Sequence, residues 1–130
     1  MVMIDSSAWI AFLRDEQSPT AGAVAATLQS AAGATCGVVE MEIFSGAQSE
    51  RHLQALEALL GSVERVSIED EDYAAAAEIY RRCRARGITP RGLEDCLIGA
   101  IAMRTDTVVL HDDRDFDRLA EVTGVRARRS

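Results

Sequence analysis

Lysine is absent from this chain of 130 residues, although the chain carries 14 basic side chains. All 14 are arginines, and 21 acidic residues leave a net charge of −7. A negative balance argues against a protein that coats nucleic acid through a general basic surface. It does not argue against an enzyme that meets phosphate groups with metal cations. The missing lysine excludes a receiver domain, because the acidic site of that class requires a lysine after the last strand.

Aromatic residues, cysteines and long apolar runs are also scarce. Aromatic residues make up 5% of a chain that is 48% hydrophobic, so the core is expected to consist of Ala, Val, Leu and Ile. Cys36, Cys83 and Cys96 form no CxxC pair, which predicts three buried free thiols rather than a zinc or redox site. No apolar run approaches the roughly 18–20 residues that span a bilayer, and no basic segment precedes the first apolar stretch. We therefore expect a cytoplasmic protein without a signal peptide or membrane segment.

Short β-branched runs alternate with longer helical patterns along the chain. The predicted strands are 2–5, 63–68, 107–110 and an edge strand at 125–128. The predicted helices are one that Ser18 and Pro19 begin and that runs toward Gly33, and then 38–47, 52–60, 72–86, 93–103 and 116–122. This alternation predicts an α/β fold, a three-layer sandwich with a mostly parallel central sheet, in one domain over residues 1–130. Ligands of such sheets lie beyond the carboxyl ends of the strands.

Acidic residues follow two of the predicted strands. Asp5 ends the first strand, and Asp112, Asp113 and Asp115 follow the strand at 107–110. Each of these residues alone could be a loop residue or a helix N-cap, and Asp115 before Phe116 fits an N-cap position.

Two further acids lie within apolar helical patterns. At about 100° per residue, Glu42 shares the face of Val38 and Val39, whereas Glu40 points nearly opposite, toward solvent. Asp95 begins a helix that is apolar on every side and therefore predicted to be buried. Acids on buried faces need a partner, which is either an arginine such as Arg14 or Arg104 or a bound cation.

Convergence of Asp5, Glu42, Asp95 and Asp113 would create strong repulsion. Two carboxylates about 5 Å apart repel by roughly 3 kcal/mol at an effective dielectric constant near 20. Protonation or a bound cation must relieve that repulsion. A ligand set of oxygen atoms alone favours Mg²⁺ or Mn²⁺ over zinc.

Four short segments around these acids occur in a characteristic order and spacing. They are Ile4-Asp5-Ser6-Ser7, Glu42-Ile43-Phe44-Ser45-Gly46, the run from Asp95 to Ala102, and Asp113-Arg114-Asp115-Phe116. Together they resemble the PIN-domain nucleases, and they are most similar to the VapC-type toxins of bacterial toxin–antitoxin pairs. The resemblance spans nearly the whole chain.

The resemblance implies a metal-dependent endoribonuclease in which Asp5, Glu42, Asp95 and Asp113 are both catalytic residues and metal ligands. Asp115 would assist as a further ligand, and Ser7 would form a hydrogen bond near Asp5. The implied cofactor is Mg²⁺, with Mn²⁺ as a substitute, and the implied substrate is RNA, either tRNA or ribosomal RNA. The implied assembly is a homodimer that a VapB-type antitoxin neutralises in a heterotetramer or larger complex. In that family the C-terminal segment of the antitoxin blocks the site, often with an arginine.

Several residues keep two interpretations. His111 stands where the family usually has Thr or Ser, and it is either a surface-loop histidine, which we favour, or a substitute hydrogen-bond donor. Trp9 belongs to the core or a dimer contact, or else stacks on a base. An arginine-rich stretch is either a solvated helix end or a strip for the RNA backbone, and it comprises Arg81, Arg82, Arg84, Arg86 and Arg91.

Among other functions, a haloacid-type phosphatase is excluded because Ser7 occupies the position of its second aspartate. The chain also has no glycine-rich phosphate loop. The remaining alternative is a catalytically inactive PIN-like module that binds RNA or a protein partner.

Overall fold

The structure is a computed structural model that describes residues 1–15 and 17–130. Within these ranges the chain forms five strands and seven helices. The strands are β1 (Val2–Ile4), β2 (Gly33–Cys36), β3 (Glu64–Val66), β4 (Val108–Leu110) and β5 (Ala127–Arg128). The helices are α1 (Ser6–Leu13), α2 (Pro19–Gln29), α3 (Gly37–Phe44), α4 (Glu50–Leu60), α5 (Asp70–Ala85), α6 (Leu93–Arg104) and α7 (Arg114–Val122).

The strands form one parallel sheet in the order β3-β2-β1-β4-β5. The chain moves from β1 to β2 and β3 in one direction, then returns past β1 to β4 and β5. The strand order therefore reverses between β1 and β4, where Val2 to Ile4 pair with Val108 to Leu110. Crevices at such reversals are the usual ligand sites of open parallel sheets.

Helices cover both faces of this sheet. Right-handed crossovers place α1 to α4 on one face and α5 to α7 on the other, because the two halves of the chain run in opposite directions across the sheet. Most helix contacts follow this division, since α1 packs on α2 and α3 while α5 packs on α6 and α7; α3 also contacts α6. The prediction of a three-layer α/β sandwich is confirmed, and the sheet is parallel throughout.

The core lies between the sheet and the two helical layers. Its largest fully buried side chains include Trp9, Phe116 and Met3. The ring of Trp9 meets that of Phe12 edge-on, with 6.4 Å between centroids, so its interpretation as a core residue is confirmed. Cys36, Cys83 and Cys96 are buried free thiols, as predicted. None of the helices in the described ranges is long and apolar enough to cross a membrane.

Strand β2 and helix α1 were missed in the sequence, and one helix face was predicted wrongly. The helix expected to run toward Gly33 ends at Gln29, and the small side chains of β2 carry no clear strand pattern. Helix α1 follows β1 directly. Tyr73, expected on the packed face of α5, is 58% exposed. Helix α6 is buried over most of its length, as predicted, although Leu93 at its start is 61% exposed. The edge strand near the C-terminus is confirmed as β5.

Candidate metal centre

Asp5 lies immediately after β1 and is the N-cap of α1. Its Oδ2 accepts hydrogen bonds from the backbone N–H of Ser7 at 3.1 Å and from the Ser7 hydroxyl at 2.5 Å. These two bonds fix the rotation of the carboxylate. Its Oδ1 is buried and has no hydrogen-bond partner among the residues described, and the whole residue is only 3% exposed. A buried carboxylate oxygen without a donor is costly unless a cation or a proton compensates it.

Asp113 follows β4 and is the N-cap of α7, as Asp5 is the N-cap of α1. Its Oδ1 accepts from the backbone N–H of Asp115 at 2.9 Å. The interpretation of Asp115 as the cap is therefore wrong, because α7 begins at Arg114 and Asp115 lies in its first turn. The two strand ends are also joined directly, since the backbone N–H of Asp112 donates to the Ser7 hydroxyl oxygen at 2.9 Å.

Glu42 reaches the site from α3, but not from a buried face. The residue is exposed overall, and its Oε2 accepts a hydrogen bond from the Ser6 hydroxyl at 3.1 Å. Glu40, predicted to point toward solvent, is instead partly buried and pairs with Arg65 at 2.7 Å. Both predictions are wrong because Glu42 lies in the last turn of α3, beyond the buried Val38 and Val39, and because Glu40 is held by the arginine of β3.

Asp95 lies in the first turn of α6 and carries the clearest sign of like-charge crowding. Burial raises its pKa from 3.8 to about 7, with further upward contributions from the charges of Asp5, Asp113 and Glu42. Burial also raises the pKa of Asp5. The pKa of Glu42 is raised by burial and then by the charges of Asp5 and Glu94. The charges of Asp5, Asp113 and Glu42 therefore act on Asp95 at the same end of the sheet.

The four predicted acids interact electrostatically but do not form a closed ligand set. Over residues 1–15 and 17–130, no three acidic, histidine or cysteine side chains lie close enough together to hold a metal ion as they stand. Their chemistry still fits a hard cation, because the donors are carboxylate oxygens and Asp5 Oδ1 is buried without a partner. In the part of the chain described, neither Asp5, Glu42 nor Asp95 forms an ion pair with an arginine. Arg104, one of the two expected partners, pairs with Asp72.

Arg91 is the one arginine ion-paired to this cluster among the described residues. One of its terminal nitrogens lies 2.6 Å from Asp113 Oδ2, and its Nε lies 2.6 Å from Asp115 Oδ2. Its side chain is 74% exposed. The other members of the predicted arginine strip, Arg81, Arg82, Arg84 and Arg86, are exposed on or just after the last turns of α5.

His111 is fully buried, so its interpretation as a surface-loop residue is wrong. Its ring stacks on Phe116 with 5.0 Å between centroids, and its Nδ1 accepts from the backbone N–H of Asp113 at 3.2 Å. Its Nε2 lies 3.2 Å from Asp117 Oδ1 without the geometry of a hydrogen bond. Burial lowers the pKa of His111, which favours the neutral ring. Through this stacking and this hydrogen bond, His111 supports the loop that follows β4.

An open groove of about 710 Å³ runs beside Asp113, which is the one of the four acids that lines it. Three arginines line it, namely Arg14, Arg91 and Arg114, together with Ser7 and the aspartates of the loop after β4. The arginines of this groove therefore come from three separate parts of the chain. Of the predicted arginine strip, Arg91 is the member that lines the groove.

Sequence reasoning missed the roles of three residues. Ser6 holds Glu42, Glu94 adds negative charge beside Glu42, and Arg91 pairs with two loop aspartates. Of these three residues, Ser6 alone could have been recognised from the sequence, because it adjoins Asp5 in the first acidic segment. Nothing in the spacing of Arg91 connects it with Asp113, which lies 22 residues later.

Comparison with known proteins identifies the family of this chain. The family model described as PIN domain matches residues 2–122. The chain is 38% identical over 130 residues to Ribonuclease VapC11 of Mycobacterium tuberculosis and to VapC ribonuclease Mb1587 of Mycobacterium bovis, covering 98% of this chain and 97% of each relative. The chain therefore belongs to the PIN-domain family. Within that family it belongs to the VapC ribonucleases, as the four acidic segments predicted.

Solved structures show the same fold at lower identity. The DNA-bound VapBC complex from Salmonella typhimurium contains a chain that superposes with a TM-score of 0.77 at 21% identity, with 98% of both chains covered. VapC20 of Mycobacterium tuberculosis, described as a Sarcin-Ricin loop cleaving toxin, superposes with a TM-score of 0.69 at 19% identity, covering 97% of this chain and 99% of that one.

Proposed function

We propose that this protein is a Mg²⁺-dependent endoribonuclease and the toxin of a VapBC-type pair, with Asp5, Glu42, Asp95 and Asp113 around the metal. The observation that carries the site is the buried, unpartnered Oδ1 of Asp5 beside three further carboxylates. The membership in the VapC ribonucleases carries the reaction class.

The loose spacing of the acids is compatible with Mg²⁺. This ion retains several water ligands and is bound directly by only one or two carboxylates, so three converging side chains are not required. A bound divalent ion supplies an activated water and neutralises charge on the phosphate. Asp5 and Asp113 are oriented beforehand, because each already uses one oxygen as a helix cap.

Metal binding at this site is expected to be coupled to the protonation state of Asp95. With a pKa of about 7, its carboxyl group is partly protonated near neutral pH. A cation favours the ionised form of a nearby carboxylate, so metal binding is expected to release a proton from Asp95. Glu42, held by Ser6, adds a further negative charge on the α3 side.

The arginines of the groove beside Asp113 offer hydrogen-bond donors for RNA phosphate groups. Arg14, Arg91 and Arg114 line it, and arginine binds phosphate through its planar array of donors. We infer that the RNA backbone lies along this groove despite the net charge of −7. The proposed partner is a VapB-type antitoxin, because the structural neighbours include VapBC complexes.

The test is cleavage of total RNA by the purified protein with Mg²⁺ and with EDTA. We expect Mg²⁺-dependent cleavage that Asp5→Asn and Asp95→Asn abolish while both variants remain folded. Glu78→Gln, which removes an exposed carboxylate on α5, is the matched control and should cleave normally. Cleavage at the wild-type rate by Asp5→Asn would reject the site. Absence of cleavage by the wild type, with RNA binding retained, would favour the inactive RNA-binding module.

A further inference from the structure

Arg91 forms an ion pair with Asp113, one of the proposed metal ligands. Asp113 uses its Oδ1 to cap α7, so Oδ2 is the oxygen left for a cation. A terminal nitrogen of Arg91 lies 2.6 Å from that oxygen. The same guanidinium reaches Asp115 through Nε, also at 2.6 Å.

This ion pair is not part of the structural framework of the fold. The Arg104–Asp72 pair shows the contrast, because its arginine and aspartate side chains are only 26% and 2% exposed. Arg91 is 74% exposed and belongs to the segment between α5 and α6. Asp113 does not need it for orientation, since the N–H of Asp115 holds its side chain and His111 holds its backbone.

We propose that Arg91 is an internal counter-ion that competes with the divalent cation for Asp113 and thereby weakens metal binding. The inference rests on the proposed function, because it takes Asp113 as a metal ligand. A guanidinium and a divalent cation are both positively charged and repel each other, so they compete for the same carboxylate oxygen. Metal binding then requires the Arg91 side chain to leave Asp113.

A role for Arg91 in positioning the metal ligands predicts the opposite change in metal affinity. If Arg91 instead held Asp113 and Asp115 in place for the metal, its removal would weaken metal binding. The sign of the change in Mn²⁺ affinity therefore separates competition from preorganisation.

The experiment is a Mn²⁺ titration of the full chain, in which the electron paramagnetic resonance signal of free Mn²⁺ reports the dissociation constant. We expect Arg91→Gln to lower the dissociation constant by about two- to fivefold, the range typical of an exposed ion pair. Arg82→Gln is the control, since it removes the same charge from an exposed pair with Glu78 on α5. It should leave the constant unchanged.

Asp5→Asn separates failure of this inference from failure of the proposed function. Wild-type binding that Asp5→Asn abolishes, together with an unchanged or weaker affinity in Arg91→Gln, overturns the inference alone. Wild-type protein with no Asp5-dependent binding overturns both. If Arg91→Gln does not fold, Arg91→Lys replaces it, because a single ammonium group cannot span two carboxylates as the guanidinium does. Tighter binding by that variant supports competition, and unchanged or weaker binding contradicts it.

Discussion

Replacement of Asp95 by asparagine is expected to stabilise the protein at neutral pH when divalent metal is withheld. In the folded chain the pKa of Asp95 rises from 3.8 to about 7, first because of burial and then because of Asp5, Asp113 and Glu42. The ionised side chain is therefore disfavoured by folding. Asparagine has nearly the same shape and carries no charge.

The size and pH window of this effect follow from linkage. A rise of about three pKa units corresponds to roughly 4 kcal/mol, and the partial exposure of Asp95 reduces the expected gain to about 2 kcal/mol. Between about pH 4 and pH 7 the folded state retains a proton that the unfolded state has lost. The stability of the wild type therefore falls across this window relative to Asp95→Asn. Below about pH 4 the difference should vanish.

The assay is urea unfolding in EDTA at several pH values, followed by the fluorescence of Trp9, which is fully buried. Asp70→Asn, which alters an exposed carboxylate at the start of α5, is the control and should change little. A gain that is absent at pH 7.5, or equal at pH 4 and pH 7.5, would refute the electrostatic reasoning. Loss of stability in Asp95→Asn at neutral pH would refute it as well.

Two further predictions concern the framework of the site. Arg104→Met should destabilise the fold by about 3 kcal/mol in urea unfolding, because it leaves the buried Asp72 carboxylate without its partner; a loss below about 1 kcal/mol would contradict this. His111→Thr should cost about 2 kcal/mol in the same assay, because it removes the stack on Phe116 and leaves a cavity; an unchanged midpoint would show that the ring does not support the loop.

The positions of Asp5 and Asp113 were predictable because parallel sheets gather strand ends at one edge. β1 and β4 are neighbours, so acids that directly follow them must lie close together. Apolar helical patterns singled out Glu42 and Asp95, and the resemblance of the four acidic segments to the PIN family predicts that both belong to the same site.

The remaining errors arose where long-range contacts override local pattern. Helical periodicity placed Glu42 on the buried face of Val38 and Val39, but Glu42 lies in the last turn of α3 and is exposed. His111 has the sequence surroundings of a surface loop, yet the ring packs on Phe116 beneath the loop. Arg91 was grouped with the arginines of α5, whereas its partners come from the first turn of α7 and its cap. None of these contacts is encoded within a single helix or strand.

The central claim is that Asp5, Glu42, Asp95 and Asp113 share one hard cation, and anomalous diffraction from a crystal soaked in Mn²⁺ tests it most directly. We expect a manganese peak beside Asp5 Oδ1, with the other three carboxylates facing it directly or through water. A peak elsewhere on the protein, or a peptide or side-chain donor bonded to Asp5 Oδ1 in the soaked crystal, would contradict the account.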